Sequence, residues 1–244
     1  MEQSPRGSRR VAFFGGSFDP PHLGHLAVAR AARDALGLDT VLFAPVGAQL
    51  LKPHGSTAAF PDRLAMTRLA IAGEPGFAIS LADAPMPSGA PNFTLETLLN
   101  LRAQLPPDGA LFCLMGADSF FSLRRWHRSA EVPFAAPLIV ASRPGQRLDD
   151  LRDALPEGLT METDPAPGEQ AGRNIELRRY ILHNPAGESA PFYLLPGLNV
   201  EISASQLRDW IRDQVRAVPG APTAAVELMP SAVFDYIRSR GLYS

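Results

Sequence analysis

Gly15-Gly16-Ser17-Phe18-Asp19-Pro20-Pro21-His22-Leu23-Gly24-His25 is the stretch that decides the fold. It follows the apolar run Val11-Ala12-Phe13-Phe14 and leads into a helical pattern over residues 23–36. A short, wholly apolar run reads as a strand buried on both faces. Without a Cβ, Gly15 and Gly16 let backbone N–H groups come close to an anion. The helix start adds unpaired N–H donors and the positive end of the helix dipole. His22 and His25 are three residues apart and share one helix face. Gly24 costs that helix about 1 kcal/mol against alanine, which fits a group passing close to the backbone. Strand, glycine turn and twin-histidine helix start together describe a phosphate site.

Outward from this stretch, apolar runs alternate with helical patterns. Strands are predicted at 10–15, 41–45, 77–81, 111–115, 138–142 and 192–195, and helices at 23–36, 61–72, 95–104, 206–215 and 231–239. Such alternation implies parallel β-α-β units: a Rossmann-like, doubly wound α/β sheet with helices on both faces and a small C-terminal helical portion. Pro230 is expected in the first turn of the last helix, and Gly241 just past its end. Residues 1–9 read as a disordered tail and 10–244 as a single domain, with 145–175, rich in Pro, Gly and acid, as a variable excursion.

The 244 residues are enough for one full α/β domain, and a net charge of -2 argues against a general nucleic-acid binder. Cys113, the only cysteine, lies in the apolar run Leu111-Phe112-Cys113-Leu114-Met115. It reads as core, which excludes disulfides and cysteine-based zinc sites. With no signal peptide and no membrane span in sight, a soluble cytoplasmic protein is expected. A homo-oligomer is compatible with everything read here. Of the 23 Lys and Arg residues, only Lys52 is lysine. It follows the second strand, on the edge where a doubly wound sheet binds its ligand, and an ammonium is a compact charge that guanidinium does not mimic.

Three further segments carry chemistry beside a plainer reading. In Ile202-Ser203-Ala204-Ser205-Gln206-Leu207-Arg208, Ser203 and Gln206 have the spacing of a capping box. The same helix start would present Ser205 outward, with Arg208 one turn on, as a second anion site. Met115-Gly116-Ala117-Asp118 ends a buried strand, where Asp118 either accepts ribose hydroxyls or caps a helix. Trp126, among charges in Arg124-Arg125-Trp126-His127-Arg128, either covers a domain edge or offers a platform to a flat heteroaromatic ring.

These motifs resemble the nucleotidyltransferases of the class I aminoacyl-tRNA-synthetase-like superfamily. The first segment is similar to its His-x-Gly-His signature and the second to its Ile-Ser-x-Ser-x-x-Arg motif. The resemblance runs from Val11 to the tail Tyr236-Ile237-Arg238-Ser239-Arg240-Gly241-Leu242-Tyr243. Asn92-Phe93-Thr94, Asp118, Trp126 and the tail look like the nicotinate-nucleotide adenylyltransferase branch. It implies ATP and nicotinate mononucleotide as substrates, with deamido-NAD and pyrophosphate as products. It implies His22, His25, Lys52 and Arg208 as catalytic. Gly15, Gly16, Ser17, Phe18, Gly116, Asp118, Arg143, Ser203 and Ser205 would bind ATP. Asn92, Phe93, Thr94 and Trp126 would bind the acceptor, with Trp126 stacking on the pyridine ring. Phe93 replaces the tyrosine usual in these enzymes, so any contact from that hydroxyl is lost. Arg143, in an Arg-Pro-Gly turn, is otherwise a solvated charge.

Mg²⁺ is expected on the triphosphate through phosphate oxygens and water, with no protein ligand. No partner nucleic acid or membrane is implied. Rival readings are an adenylyltransferase for nicotinamide mononucleotide or phosphopantetheine, a non-catalytic nucleotide-binding regulator, and a fragment of a class I aminoacyl-tRNA synthetase. The last lacks a Lys-Met-Ser-Lys-Ser loop here.

Overall fold

The computed structural model describes residues 9–47, 55–142, 148–164, 176–198, 203–216 and 227–244. Lys52, Arg143 and the tail over 1–8 lie outside the described residues. The strands are β1 (Arg10–Gly16), β2 (Thr40–Pro45), β3 (Phe77–Ile79), β4 (Ala110–Gly116), β5 (Leu138–Ala141), β6 (Thr160–Thr163), β7 (Arg178–His183) and β8 (Ser189–Leu195). The helices are α1 (Leu23–Leu36), α2 (Phe60–Ala70), α3 (Thr94–Gln104), α4 (Ala117–Phe121), α5 (Val132–Ala135), α6 (Leu148–Asp153), α7 (Ala204–Arg216) and α8 (Ser231–Arg240). The strands form one sheet in the order β3-β2-β1-β4-β5-β8-β7-β6.

The expected α/β fold is the one observed, with an antiparallel addition. β1–β4, β4–β5 and β5–β8 pair parallel, whereas β8–β7 and β7–β6 pair antiparallel. Both β6 and β7 went unpredicted; the short helix α6 and strand β6 lie within the stretch 145–175. The reason is their exposure. In β7 only Tyr180 and Leu182 are buried, alternating with charged or half-exposed neighbours, whereas β1 buries Val11, Ala12, Phe13 and Phe14 in a row. A continuous run is easy to read as a strand; a diluted alternation between arginines is not.

The chain divides into two compact units, the first made of 1–14, 28–42 and 93–199, the second of 15–27, 43–92 and 200–244. In the first, β4 and β5 form an apolar centre, with Leu114, Ile139 and Val140 at most 1% exposed. In the second, α2, α7 and α8 pack together through Met66, Ala70, Leu207, Ile211, Val233 and Ile237, joined by Ala58, Met229 and Tyr243. Pro230 is the N-cap of α8, one position before the expected first turn. Gly241 ends α8 as expected, at φ 61°. The Leu242 N–H donates to the Ile237 carbonyl at 3.0 Å, closing a Schellman-type turn.

Candidate active site

The second unit holds the glycine turn, both histidines and the start of α7. Gly16 is the tight point of the turn: a Cβ there would meet the Phe18 ring at 3.1 Å. Phe18 takes a left-handed backbone, φ 47°, and buries its ring against Phe43. The peptide between Asp19 and Pro20 is cis. His22 precedes α1 and is 6% exposed, with its ring 3.8 Å from that of His25. The backbone N–H of His22 donates to His25 Nδ1 at 3.2 Å. This is the reach-back half of a capping box, made by imidazole in place of carboxylate. Because Nδ1 accepts, the proton of neutral His25 is inferred on Nε2, which makes that atom a donor. His22 differs. Burial lowers its pKa to about 4, and its Nδ1 has no partner among the described residues. It is therefore neutral near pH 7, where it can donate or accept a hydrogen bond but carries no charge.

Arg208, one turn into α7, ties the two motifs together. Its Nη1 donates to the Asp19 backbone carbonyl at 2.7 Å and its Nη2 to Ser205 Oγ at 3.0 Å. Ser203 stands just before α7, and its carbonyl accepts the Leu207 N–H. Asp19 is buried, and its carboxylate accepts the N–H groups of Thr57 (2.6 Å) and Ala58 (3.1 Å) and the Tyr243 hydroxyl (2.7 Å). Arg63 of α2, 1% exposed, spends its guanidinium on three backbone carbonyls. Nη1 donates to Ser17, Nη2 to Val46 and Nε to Ala58. Burial pulls its pKa down, against the neighbouring Asp19 carboxylate.

The other candidates divide between the units. Asn92 is in the second, where its Nδ2 donates to the Ala84 carbonyl at 2.7 Å. In the first unit, Phe93 is the N-cap of α3 and Thr94 its first residue. The Phe93 ring lies 4.3 Å from that of His127. Gly116 is the N-cap of α4, so Asp118 is no cap. It sits in the first turn, exposed, because the helix begins one residue earlier than a capping Asp118 requires. Trp126 is half-buried, and its Nε1 donates to Ser122 Oγ at 3.2 Å. With Arg124, Arg128 and Glu131 it lines an open cavity of about 610 Å³.

Residues 13–209 match the family described as Cytidylyltransferase-like. The chain is 37% identical over 235 residues to the probable nicotinate-nucleotide adenylyltransferase of Stenotrophomonas maltophilia, covering 95% of each. It is 36% identical over 234 residues to that of Gloeobacter violaceus, covering 96% of each. To that of Pelobacter propionicus it is 31% identical over 235 residues, covering 96% of this chain and 98% of the other. The chain belongs to the nicotinate-nucleotide adenylyltransferase family. Its fold is similar to that of the Plasmodium falciparum nicotinic acid mononucleotide adenylyltransferase complexed with NaAD, at TM-score 0.64 and 16% identity over 96% of this chain and 97% of the other.

Against that family background, sequence reasoning missed three residues that shape the turn: Asp19's carboxylate, Arg63 and Tyr243. Arg63 left a trace. It lies at the spacing of Met66, Thr67 and Ala70, all on the buried face of α2. A charge in an apolar stripe needs partners, and backbone carbonyls supply them here. Among the described residues no group of three His, Cys, Asp or Glu is placed to hold a metal ion, and no helix is long and apolar enough to cross a membrane.

Proposed function

We propose that this chain transfers the adenylyl group of ATP to nicotinate mononucleotide, giving deamido-NAD and pyrophosphate in NAD biosynthesis. One observation carries the site assignment: Arg208 of α7 donates to Asp19, three residues before His22, so two sequence-distant anion motifs meet. The nucleophile needs no protein base, since a phosphate monoester has a second pKa of about 6 and is largely ionised at neutral pH. Its oxygen attacks the α-phosphorus, and the bond to the oxygen bridging to the β-phosphate breaks. The protein's task is to hold two anions in line and offset charge on the leaving pyrophosphate.

His25 Nε2 and the guanidinium of Arg208 are assigned to that charge, with neutral His22 as a hydrogen-bonding neighbour. Lys52 adds a compact cationic charge in this reading, and Arg143 contacts the nucleotide. The backbone of Gly15, Gly16, Ser17 and Phe18, with Ser203 and Ser205, lines the phosphates. Gly116 and Asp118 take the ribose. Phe93 and Thr94, at the positive end of α3, take the nicotinate carboxylate, and Trp126 takes the ring. The Asn92 side chain is engaged with Ala84, so its part is to fix the loop. Mg²⁺ belongs to the proposal as a cation carried by phosphate oxygens and water, where it would neutralise triphosphate charge. A cytoplasmic location and a single domain over 10–244 belong to it too. β1, α1 and β2 each contribute residues to both units.

The test is pyrophosphate release from ATP with nicotinate mononucleotide, nicotinamide mononucleotide and phosphopantetheine side by side. The nicotinate form is expected to dominate. Dominance of the amide form overturns the substrate and leaves the reaction class standing. Tight ATP binding without turnover on any acceptor overturns catalysis itself.

A further inference from the structure

The C-terminal tail ends inside the candidate site's supporting structure. α8 is tied to the first turn of α2, where Tyr236 Oη donates to Asp62 Oδ1 at 2.9 Å and Arg240 Nε lies 3.6 Å from the same oxygen. Gly241 then reverses the chain, and Tyr243, itself at φ 68°, enters the core 7% exposed. Its ring belongs to the buried cluster that holds Met66, Leu207 and Ile211, and its hydroxyl donates to Asp19 Oδ1 at 2.7 Å. Asp19 receives this bond on its carboxylate while its own backbone carbonyl accepts Arg208. Burial, and then the Asp19 charge, push the phenol pKa well up, so the hydroxyl stays a donor throughout the neutral range.

We propose that Tyr243 is a positioning residue for nucleotidyl transfer: the tail fixes Asp19, and Asp19 fixes the guanidinium of Arg208 beside the His22–His25 turn. The proposal rests on the assignment of Arg208 to the triphosphate. Two amide donors hold Asp19 from the segment before α2; Tyr243 supplies the third donor and reaches it from the far end of the chain. Without that hydroxyl the carboxylate is buried with one bond fewer and only the two amides hold it, so the residue carrying the Arg208 contact is held less tightly.

Tyr243→Phe keeps the ring in the core and removes only the hydroxyl. Its kcat is expected to fall about tenfold, with the KM for nicotinate mononucleotide unchanged within about twofold. In a double-mutant cycle with Arg208→Lys, the losses in kcat/KM for ATP are expected to combine to less than their product, because both act on one contact. Met66→Leu, 4.0 Å from the Tyr243 hydroxyl, is the packing control, expected to shift Tm while kcat stays at the wild-type value. A Tyr243→Phe enzyme with wild-type kcat, or losses that simply multiply with those of Arg208→Lys, overturns the positioning role. Wild-type turnover in Arg208→Ala overturns the site assignment beneath it.

Discussion

His22 and His25 stand with their rings 3.8 Å apart, yet burial gives them different chemistry. With a folded pKa of about 4 against an ordinary 6.5, His22 is a group that the unfolded chain protonates first. Its contribution to stability is intact above pH 6.5 and lost as the pH falls towards 4. By linkage this amounts to about 2 kcal/mol at pH 5. Urea unfolding at pH 7 and pH 5 should show this loss in the wild type and a flatter response in His22→Asn. His25 is half-buried, and its Nε2 proton is set by the His22 amide on the other nitrogen. His25→Ala is expected to lower kcat at least about a hundredfold, close to 3 kcal/mol of barrier, with a Tm within a few degrees of wild type. A kcat near wild type would remove it from the mechanism.

At the scale of elements, the tail depends on how α8 stops. Gly241 takes φ 61°, and nothing lies within 4 Å of where its Cβ would be. Gly241→Ala is therefore expected to cost about 1 kcal/mol through backbone conformation alone, measurable by urea unfolding. A loss of several kcal/mol would mean instead that Tyr243 had left the core. The β7–β8 hairpin depends on its turn in the same way. Asn184 accepts the Glu188 N–H on its side chain at 3.0 Å, and Gly187 takes φ 83°. The turn residues Asn184-Pro185-Ala186-Gly187 are ordinary turn formers, while Arg178 and Arg179 dilute the apolar pattern of the strand before them.

Across the whole molecule, His22, His25 and Arg208, proposed for the phosphates, lie in one compact unit, and Phe93, Thr94 and Trp126, proposed for the acceptor, lie in the other. Trp126→Ala is accordingly expected to raise the KM for nicotinate mononucleotide about tenfold and leave the KM for ATP within about twofold. Equal rises in both would end the division of labour. By itself the sequence determined the parallel half of the sheet, the five long helices and the positions of both anion motifs. Unbroken apolar runs, glycine turns and cap residues are local signals, set by solvent and backbone sterics over a few residues. Tertiary structure alone decided that Arg208 would meet Asp19, that Tyr243 would return from the far end of the chain to hold it, and that His22 would be neutral. Each depends on burial and on contacts between segments up to 224 positions apart, which no local pattern encodes.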